Sequence, residues 1–150
     1  MVATCDIVIA GQNALFSTPG AEVGLFCSTP GIALARAVPT KVAMDMLLTA
    51  EPIDAQRAMQ IGLISRIVVD DHVSSEALKV ATKIAALSRT VITLGKKFFY
   101  TQTQLPVIDA YKMGERIMIE NLCLKDAQEG IAAFIDKRAP RWTHTNDKNV

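Results

Sequence analysis

The stretch from Phe16 to Pro39 constrains the fold of this chain more than any other part of it. It contains two Thr-Pro-Gly units, at residues 18–20 and 29–31, followed by a segment rich in small residues. Proline fixes φ and glycine permits positive φ, so the pattern predicts a loop of one defined shape that leads into a helix. Ser28 or Thr29 is predicted to cap that helix.

Two roles are open for such a loop. A fixed loop that leads into a helix N-terminus is a common place for binding and catalysis in α/β folds. The spacing taken alone favours the plainer alternative, in which the loop is a tight crossover packed on a hydrophobic core. Motifs outside the loop are therefore needed to decide between the two roles.

The remaining periodicity predicts an α/β fold in which the strands come first and the second half is helical. Three apolar runs are predicted to be strands: 2–10, 14–17 and 63–69. The further predicted helices are 41–49 with Thr40 as cap, 55–61 with Asp54 as cap and Gly62 as stop, 75–87, 90–101, 106–123, and a last one that ends near Arg138. We place a boundary near residue 70, where the pattern becomes purely helical.

Two details of the helical half are also predicted from spacing. Asp126 and Glu129 are spaced as a variant capping box that would start the last helix. In the helix at 106–123, the residues predicted to be buried include Ile108, Tyr111, Ile117 and Leu122.

Three blocks, in order along the chain, resemble the crotonase superfamily of enoyl-CoA hydratases and isomerases. The first joins CDIVIAG (5–11) to the loop, the second is AEPIDAQRAMQIGLISRIV (50–68), and the third is DAQEGIAAFIDKRAPRW (126–142). The resemblance covers nearly all of the 150 residues. Three ordered blocks are far more specific than a single short motif.

The resemblance implies a fold built as a spiral of repeated ββα units. Residues 1–70 resemble the C-terminal part of that core, and residues 71–144 resemble the helical region that builds trimers or hexamers and lies near coenzyme A. Residues 145–150 would be a polar tail. The first half of the spiral, with the two backbone N–H groups of the oxyanion hole, would lie ahead of Met1. We therefore interpret the chain as the C-terminal half of a crotonase.

The resemblance further implies an acyl-CoA thioester as ligand, with coenzyme A as part of the substrate and no separate cofactor. In the family, carboxylates act as general acid and base while backbone N–H groups stabilise the enolate oxygen that develops. Both carboxylate positions that fall in this chain are vacant, since one corresponds to Gly20 and the other, used by dienoyl-CoA isomerases, to Ser28. Glu22 is the only carboxylate in the loop, either as a shifted catalytic group or as an ordinary solvated residue.

Four residues match ligand-binding positions of the family. Leu25 and Phe26 match the part of the loop that contacts the acyl chain, and Phe134 and Lys137 match positions that approach the adenine and phosphate of coenzyme A. An aromatic face can stack on adenine, and an ammonium group can neutralise phosphate. The alternative is that Phe134 is buried on the last helix and that Lys137 is a solvated helix end.

Composition and spacing disfavour several other classes of function. A net charge of +1, with no basic stripe, gives no electrostatic case for nucleic acid. Three unpatterned cysteines, Cys5, Cys27 and Cys123, indicate reduced thiols inside a cell. The serines of the loop lack the Gly-x-Ser-x-Gly setting of a hydrolase, and His144 stands alone, so no metal site is predicted.

Signals of location are also weak. No apolar run reaches the length of about 18 residues that a membrane span needs, and the N-terminus resembles neither a signal peptide nor a transit peptide. The resemblance implies the mitochondrial matrix and fatty-acid metabolism. Two functions remain open: a non-catalytic subunit that binds acyl-CoA thioesters or forms oligomers, and an active lyase or isomerase whose carboxylate lies outside this chain or is Glu22.

Overall fold

The computed structural model describes residues 1–148, which form seven α-helices, four short β-strands and three 3₁₀ helices. The α-helices are α1 (Ser28–Ala37), α2 (Thr40–Thr49), α3 (Ala55–Gln60), α4 (Val73–Ala85), α5 (Arg89–Gln102), α6 (Val107–Cys123) and α7 (Lys125–Ile135). The strands are β1 (Ile9–Gly11), β2 (Leu15–Phe16), β3 (Ile53–Asp54) and β4 (Arg66–Val68), and the 3₁₀ helices are Val2–Thr4, Pro19–Val23 and Asp70–His72. The chain divides into two compact units, Met1–Val80 and the residues from Ala81 onward.

The first unit contains two short pairs of strands. β1 lies parallel to β4, with Ala10 opposite Ile67. β2 lies antiparallel to β3, with Phe16 opposite Ile53. β3 was not predicted, because two residues show no periodicity that could distinguish a strand from a loop. Its pairing with β2 fixes the backbone immediately before the loop that begins at Ser17.

The core of the first unit is built from medium and small side chains. Its buried members are Ala10, Leu34, Val38, Ala43, Met46, Leu47, Ala55, Ala58, Leu63 and Ile64. Four of the ten are alanine, which lets helix backbones approach the strands closely. Phe16 and Cys27 are partly buried against this core, so both ends of the loop are attached to it.

The predicted strand at 2–10 is wrong over most of its length. Residues 2–4 form a 3₁₀ helix, in which the N–H of Thr4 donates to the carbonyl of Met1 at 3.1 Å and its hydroxyl donates to the same oxygen at 2.7 Å. Such local bonds compete with strand pairing, and the ladder begins only at Ile9. The other two predicted strands are present but shorter, at 15–16 and 66–68.

The predicted helix boundaries are partly confirmed. Asp54 caps α3 by accepting the N–H of Arg57 at 2.7 Å, and Gly62 follows that helix with a φ of +79°. The predicted caps at Ser28, Thr29 and Thr40 are wrong, since no side-chain cap bond starts α1 or α2. Each of these hydroxyl residues lies inside its helix, where its oxygen cannot reach the first free N–H groups.

In the second unit, α5, α6 and α7 pack against one another. Ser88 caps α5, since its hydroxyl oxygen accepts the N–H of Val91 at 3.3 Å. The predicted burial of three residues of α6 is wrong, since Ile108 and Tyr111 are 71% and 74% exposed and Leu122 is also exposed, whereas Ile117 is partly buried. Apolar residues occur on more than one side of α6, so spacing could not indicate which side would pack.

Candidate functional site

The loop after β2 is held in one conformation by its own backbone. The N–H of Leu25 donates to the carbonyl of Gly20 at 2.9 Å, which closes the 3₁₀ helix at 19–23. Gly24 completes the turn with a φ of +77°. The hydroxyl of Thr18 donates to the carbonyl of Met46 at 2.8 Å and ties the loop to α2. The loop is therefore fastened both within itself and to α2, which supports the predicted defined shape.

Gly20 is enclosed by the loop that follows it. Its N–H donates to the Sγ of Cys27 at 3.2 Å. A Cβ at Gly20 would overlap the carbonyl oxygen of Leu25 and would lie only 2.6 Å from the same sulfur. The position that the resemblance associates with a catalytic carboxylate therefore has no room for any side chain unless the backbone of the loop moves.

The other predicted residues of the loop lie on its outer side. Leu25 is 69% exposed and Phe26 is 53% exposed, next to an exposed Val23. Glu22 is exposed on the 3₁₀ helix, and among the described residues its carboxylate has no hydrogen-bond or ion-pair partner. The loop thus combines an apolar tip with one solvated carboxylate.

A cleft of about 650 Å³ lies on the inner side of the loop. Phe16, Thr18, Pro30 and Met46 are among the residues that line it. Glu22, Leu25 and Phe26 do not line it, so the structure separates this cleft from the predicted site residues of the loop.

The two predicted residues of the last block lie together at the end of α7. Phe134 is 86% exposed, which contradicts the alternative that it is buried on the last helix. Its ring borders an apolar hollow of about 520 Å³ that Val91 and Ile92 also line. Lys137 is exposed just beyond the helix, with a φ of +53° and its N–H donating to the carbonyl of Phe134 at 3.3 Å. Both side chains are accessible to a ligand.

The predicted capping box of α7 is wrong. The helix begins at Lys125, and Asp126 is fully buried within its first turn. The Asp126 carboxylate accepts the hydroxyl of Ser88 at 2.6 Å, the N–H and hydroxyl of Thr143, each at 2.7 Å, and the N–H of His144 at 3.1 Å. Asp126 therefore joins three separate segments of the second unit instead of capping one helix.

Two carboxylates of α7 have a lowered pKa. Burial of Asp126 opposes ionisation, but the hydrogen bonds from Ser88, Thr143 and His144 outweigh it and lower the pKa to about 2. The fork of Arg138 binds Glu129 at 2.6 and 2.9 Å and, with the N–H of Arg141, lowers the pKa of Glu129 to about 2. Sequence spacing missed both arrangements, because their partners lie outside one turn of helix.

Other kinds of site were sought in the part of the chain that the structure describes. No group of three His, Cys, Asp or Glu side chains among residues 1–148 is arranged to hold a metal ion. Cys5, Cys27 and Cys123 are free thiols. None of the described helices combines the length and apolar character needed to cross a membrane.

The sequence matches the Enoyl-CoA hydratase/isomerase family over residues 1–145. It is 54% identical over 144 residues to enoyl-CoA hydratase domain-containing protein 3, mitochondrial, of Rattus norvegicus. The aligned region covers 96% of this chain and 48% of the rat protein. The human protein of the same name is 52% identical over 144 residues, and the aligned region again covers 96% of this chain and 48% of the relative. The chain spans about half the length of these curated relatives.

Solved structures agree with the sequence matches. The crystal structure of human enoyl Coenzyme A hydratase domain-containing protein 3 superposes with a TM-score of 0.91 at 52% identity, covering 94% of this chain and 56% of that one. The enoyl-CoA hydratase of Mycobacterium smegmatis superposes with a TM-score of 0.92 at 40% identity, covering 96% and 56%. The predicted resemblance and fold class are confirmed: the chain belongs to the enoyl-CoA hydratase/isomerase family and has the α/β architecture of the C-terminal part of the crotonase fold.

Proposed function

We propose that this chain binds acyl-CoA thioesters as a non-catalytic enoyl-CoA hydratase-like protein of mitochondrial fatty-acid metabolism. The observation that carries the proposal is the enclosure of Gly20 by the carbonyl of Leu25 and the sulfur of Cys27. A missing carboxylate could be a simple vacancy that a neighbouring group fills. Here the backbone occupies the space, so the loop is shaped for something other than proton transfer at that position.

Binding is supported by side chains that catalysis does not require. Leu25 and Phe26 present apolar surface that suits an acyl chain. Phe134 and Lys137 are three residues apart and both exposed, as stacking on adenine and neutralisation of a phosphate require. These are the chemical groups of coenzyme A, and family membership supports a ligand of that class.

Assembly and compartment are part of the proposal. The exposed apolar residues of α6 include Val107, Ile108, Tyr111, Met118 and Ile119. An apolar strip of this kind is typical of a protein–protein interface, and we propose a trimer or hexamer of the protein in its full-length form. The relatives are named as mitochondrial, which supports the mitochondrial matrix as the compartment.

A second function is favoured by one observation. Glu22 is solvent-accessible next to the apolar tip of the loop. A flexible ligand that lies against Leu25 and Phe26 would come close to its carboxylate. The alternative is therefore an active lyase or isomerase that uses Glu22, or a carboxylate outside this chain, as its acid or base.

Substitutions at the end of α7 test the proposed binding. We expect Phe134→Ala to weaken the affinity for crotonyl-CoA about tenfold, because base stacking on an aromatic ring is worth roughly 1–3 kcal/mol. Lys137→Asn should weaken it about fivefold through loss of one exposed charge contact, and Asn tolerates the positive φ at this position. Isothermal titration calorimetry of the whole chain provides both values.

Matched controls come from the same unit. Phe99 is an exposed aromatic residue of α5, and Lys97 is an exposed lysine of the same helix. Phe99→Ala and Lys97→Ala should leave the affinity unchanged. If these two variants weaken binding as much as the α7 variants, or if crotonyl-CoA does not bind at all, the proposed site is wrong.

A further inference from the structure

The segment that follows α7 crosses back over the second unit, and residues 142–148 are called the C-terminal strap here. The indole N–H of Trp142 donates to the carbonyl of Ala86 at 3.0 Å. The hydroxyl of Thr90 donates to the carbonyl of Thr145 at 2.9 Å. The strap is therefore held against the start of α5 by specific polar contacts.

His144 is the third residue of the strap and makes three hydrogen bonds. Its Nδ1 accepts the backbone N–H of Arg89 at 3.2 Å, and its carbonyl accepts a guanidinium N–H of the same residue at 3.0 Å. Its own N–H donates to Asp126 at 3.1 Å. The backbone at His144 has a φ of +56°, an uncommon conformation for a residue other than glycine, which these contacts maintain.

The contact at Nδ1 requires an imidazole that is unprotonated at that nitrogen. A backbone N–H can only donate, so a proton on Nδ1 would remove the acceptor and place two donors against each other. Arg89 is the first residue of α5, where the helix dipole disfavours a positive charge. Both effects act in the same direction and weaken the attachment of the strap when His144 is charged.

We infer that the C-terminal strap is a pH-sensitive latch, attached to α5 while His144 is neutral and released when His144 is protonated. Histidine changes charge between about pH 5 and pH 8, so the release falls within that range. Since Trp142 and His144 lie on the same short strap, the indole should leave the carbonyl of Ala86 as the latch opens.

Two charged residues contact His144. Arg89 on α5 donates to His144 from its backbone N–H and its guanidinium, and the carboxylate of Asp126 on α7 is already engaged by four donors. α4 contributes two uncharged residues, Ile84 and Ala85, to the hollow beside the ring.

An ion pair also attaches the strap to α7, further along the chain. Lys125 binds Asp147 at 3.2 Å and holds the pKa of that carboxylate below its usual range. This ion pair therefore stays formed while histidine titrates. Release should involve residues 142–145 and leave the end of the strap attached to α7.

The chain has one tryptophan and two histidines, which makes the test specific. We expect the emission of Trp142 to shift to longer wavelength, and its quenching by acrylamide to increase, as the pH of the whole chain falls from about 8 to about 5. His144→Asn keeps an acceptor oxygen near the position of Nδ1, does not titrate and tolerates positive φ. That variant should show no change. His72→Asn removes the other, exposed histidine and should behave as the unaltered chain does.

Three results would overturn the inference: no pH response in the unaltered chain, an unchanged response in His144→Asn, or loss of the response in His72→Asn. Hydrogen exchange of the Arg89 amide in the unaltered chain provides a measurement that needs no variant. After correction for the intrinsic pH dependence of exchange, protection of this amide should be lost over the same pH range. Constant protection would contradict the latch.

Discussion

Replacing Asp126 by alanine is expected to lower the free energy of unfolding by about 3 kcal/mol or more, since three donor residues would lose a buried charged acceptor. Ser88, Thr143 and His144 all donate to this carboxylate, and the side chain is fully buried. Alanine would remove the acceptor that these donors share and would leave the hydroxyl of the buried Ser88 without it. Chemical denaturation at neutral pH, followed by circular dichroism, measures the change.

The control for this substitution is Asp109→Ala. Asp109 is also an aspartate in the first turn of a helix, but its side chain is exposed. Its Oδ1 lies 3.6 Å from the Nζ of Lys112. Exposed ion pairs of this kind contribute about 0–1 kcal/mol. If Asp109→Ala destabilises the chain as much as Asp126→Ala, the carboxylate of Asp126 is not the structural centre of the second unit.

The same carboxylate predicts a pH dependence with a defined sign. The pKa of Asp126 is lowered to about 2 in the folded chain, so folding favours the ionised form. Its contribution to stability is therefore complete above the ordinary range of aspartate, near pH 4, and is lost as the pH falls towards 2. Asp126→Asn should remove this part of the acid sensitivity. This range lies well below the interval of about pH 5 to pH 8 used to test the C-terminal strap, so the two effects are separable.

The second large effect is expected at Gly20. Gly20→Ala should lower the free energy of unfolding by about 1–3 kcal/mol, as overpacking does in a closed site. The new Cβ would overlap the carbonyl of Leu25 and approach the sulfur of Cys27 to 2.6 Å. Adding Cys27→Ala should recover only part of the loss, because the backbone carbonyl remains.

Gly95→Ala provides a control of opposite sign. A Cβ at Gly95 would meet no atom within 4 Å, and the residue is exposed in the interior of α5. Alanine there should stabilise the chain by about 0.5–1 kcal/mol. If Gly20→Ala leaves the stability unchanged or raises it as Gly95→Ala does, the enclosure of Gly20 does not hold the loop as described. Gly20→Glu should displace the loop in the same way and should not by itself create hydratase activity.

Local signals predicted the parts of the fold that depend on local chemistry. The conformation of the loop follows from its prolines and glycines, and the cap of α3 follows from Asp54, whose partner is three residues away. The strand predicted at 2–10 failed because pairing depends on a distant segment, and β1 meets β4 only from Ile9. An apolar pattern indicates that a segment favours a strand, but the position of the partner strand determines where pairing begins.

In the candidate site, too, local patterns missed the features that depend on distant residues. The resemblance associates the position of Gly20 with a carboxylate, but it could not indicate that the space beside Gly20 is filled. That fact depends on where the carbonyl of Leu25 and the sulfur of Cys27 lie. Asp126 was misassigned as part of a capping box because its spacing to Glu129 fits one. Its actual partner Ser88 is 38 residues away, beyond the reach of any pattern within one helix.

The central claim, that this chain binds an enoyl thioester without hydrating it, is tested most directly with crotonyl-CoA. The unaltered chain and Glu22→Gln should be incubated with it in parallel, while binding is followed by calorimetry and hydration by loss of the absorbance of the enoyl thioester. We expect binding with no hydration above the rate without protein, and identical traces for the two chains. Hydration that increases with protein concentration, persists through repeated purification and falls in Glu22→Gln would contradict the claim and favour the active enzyme.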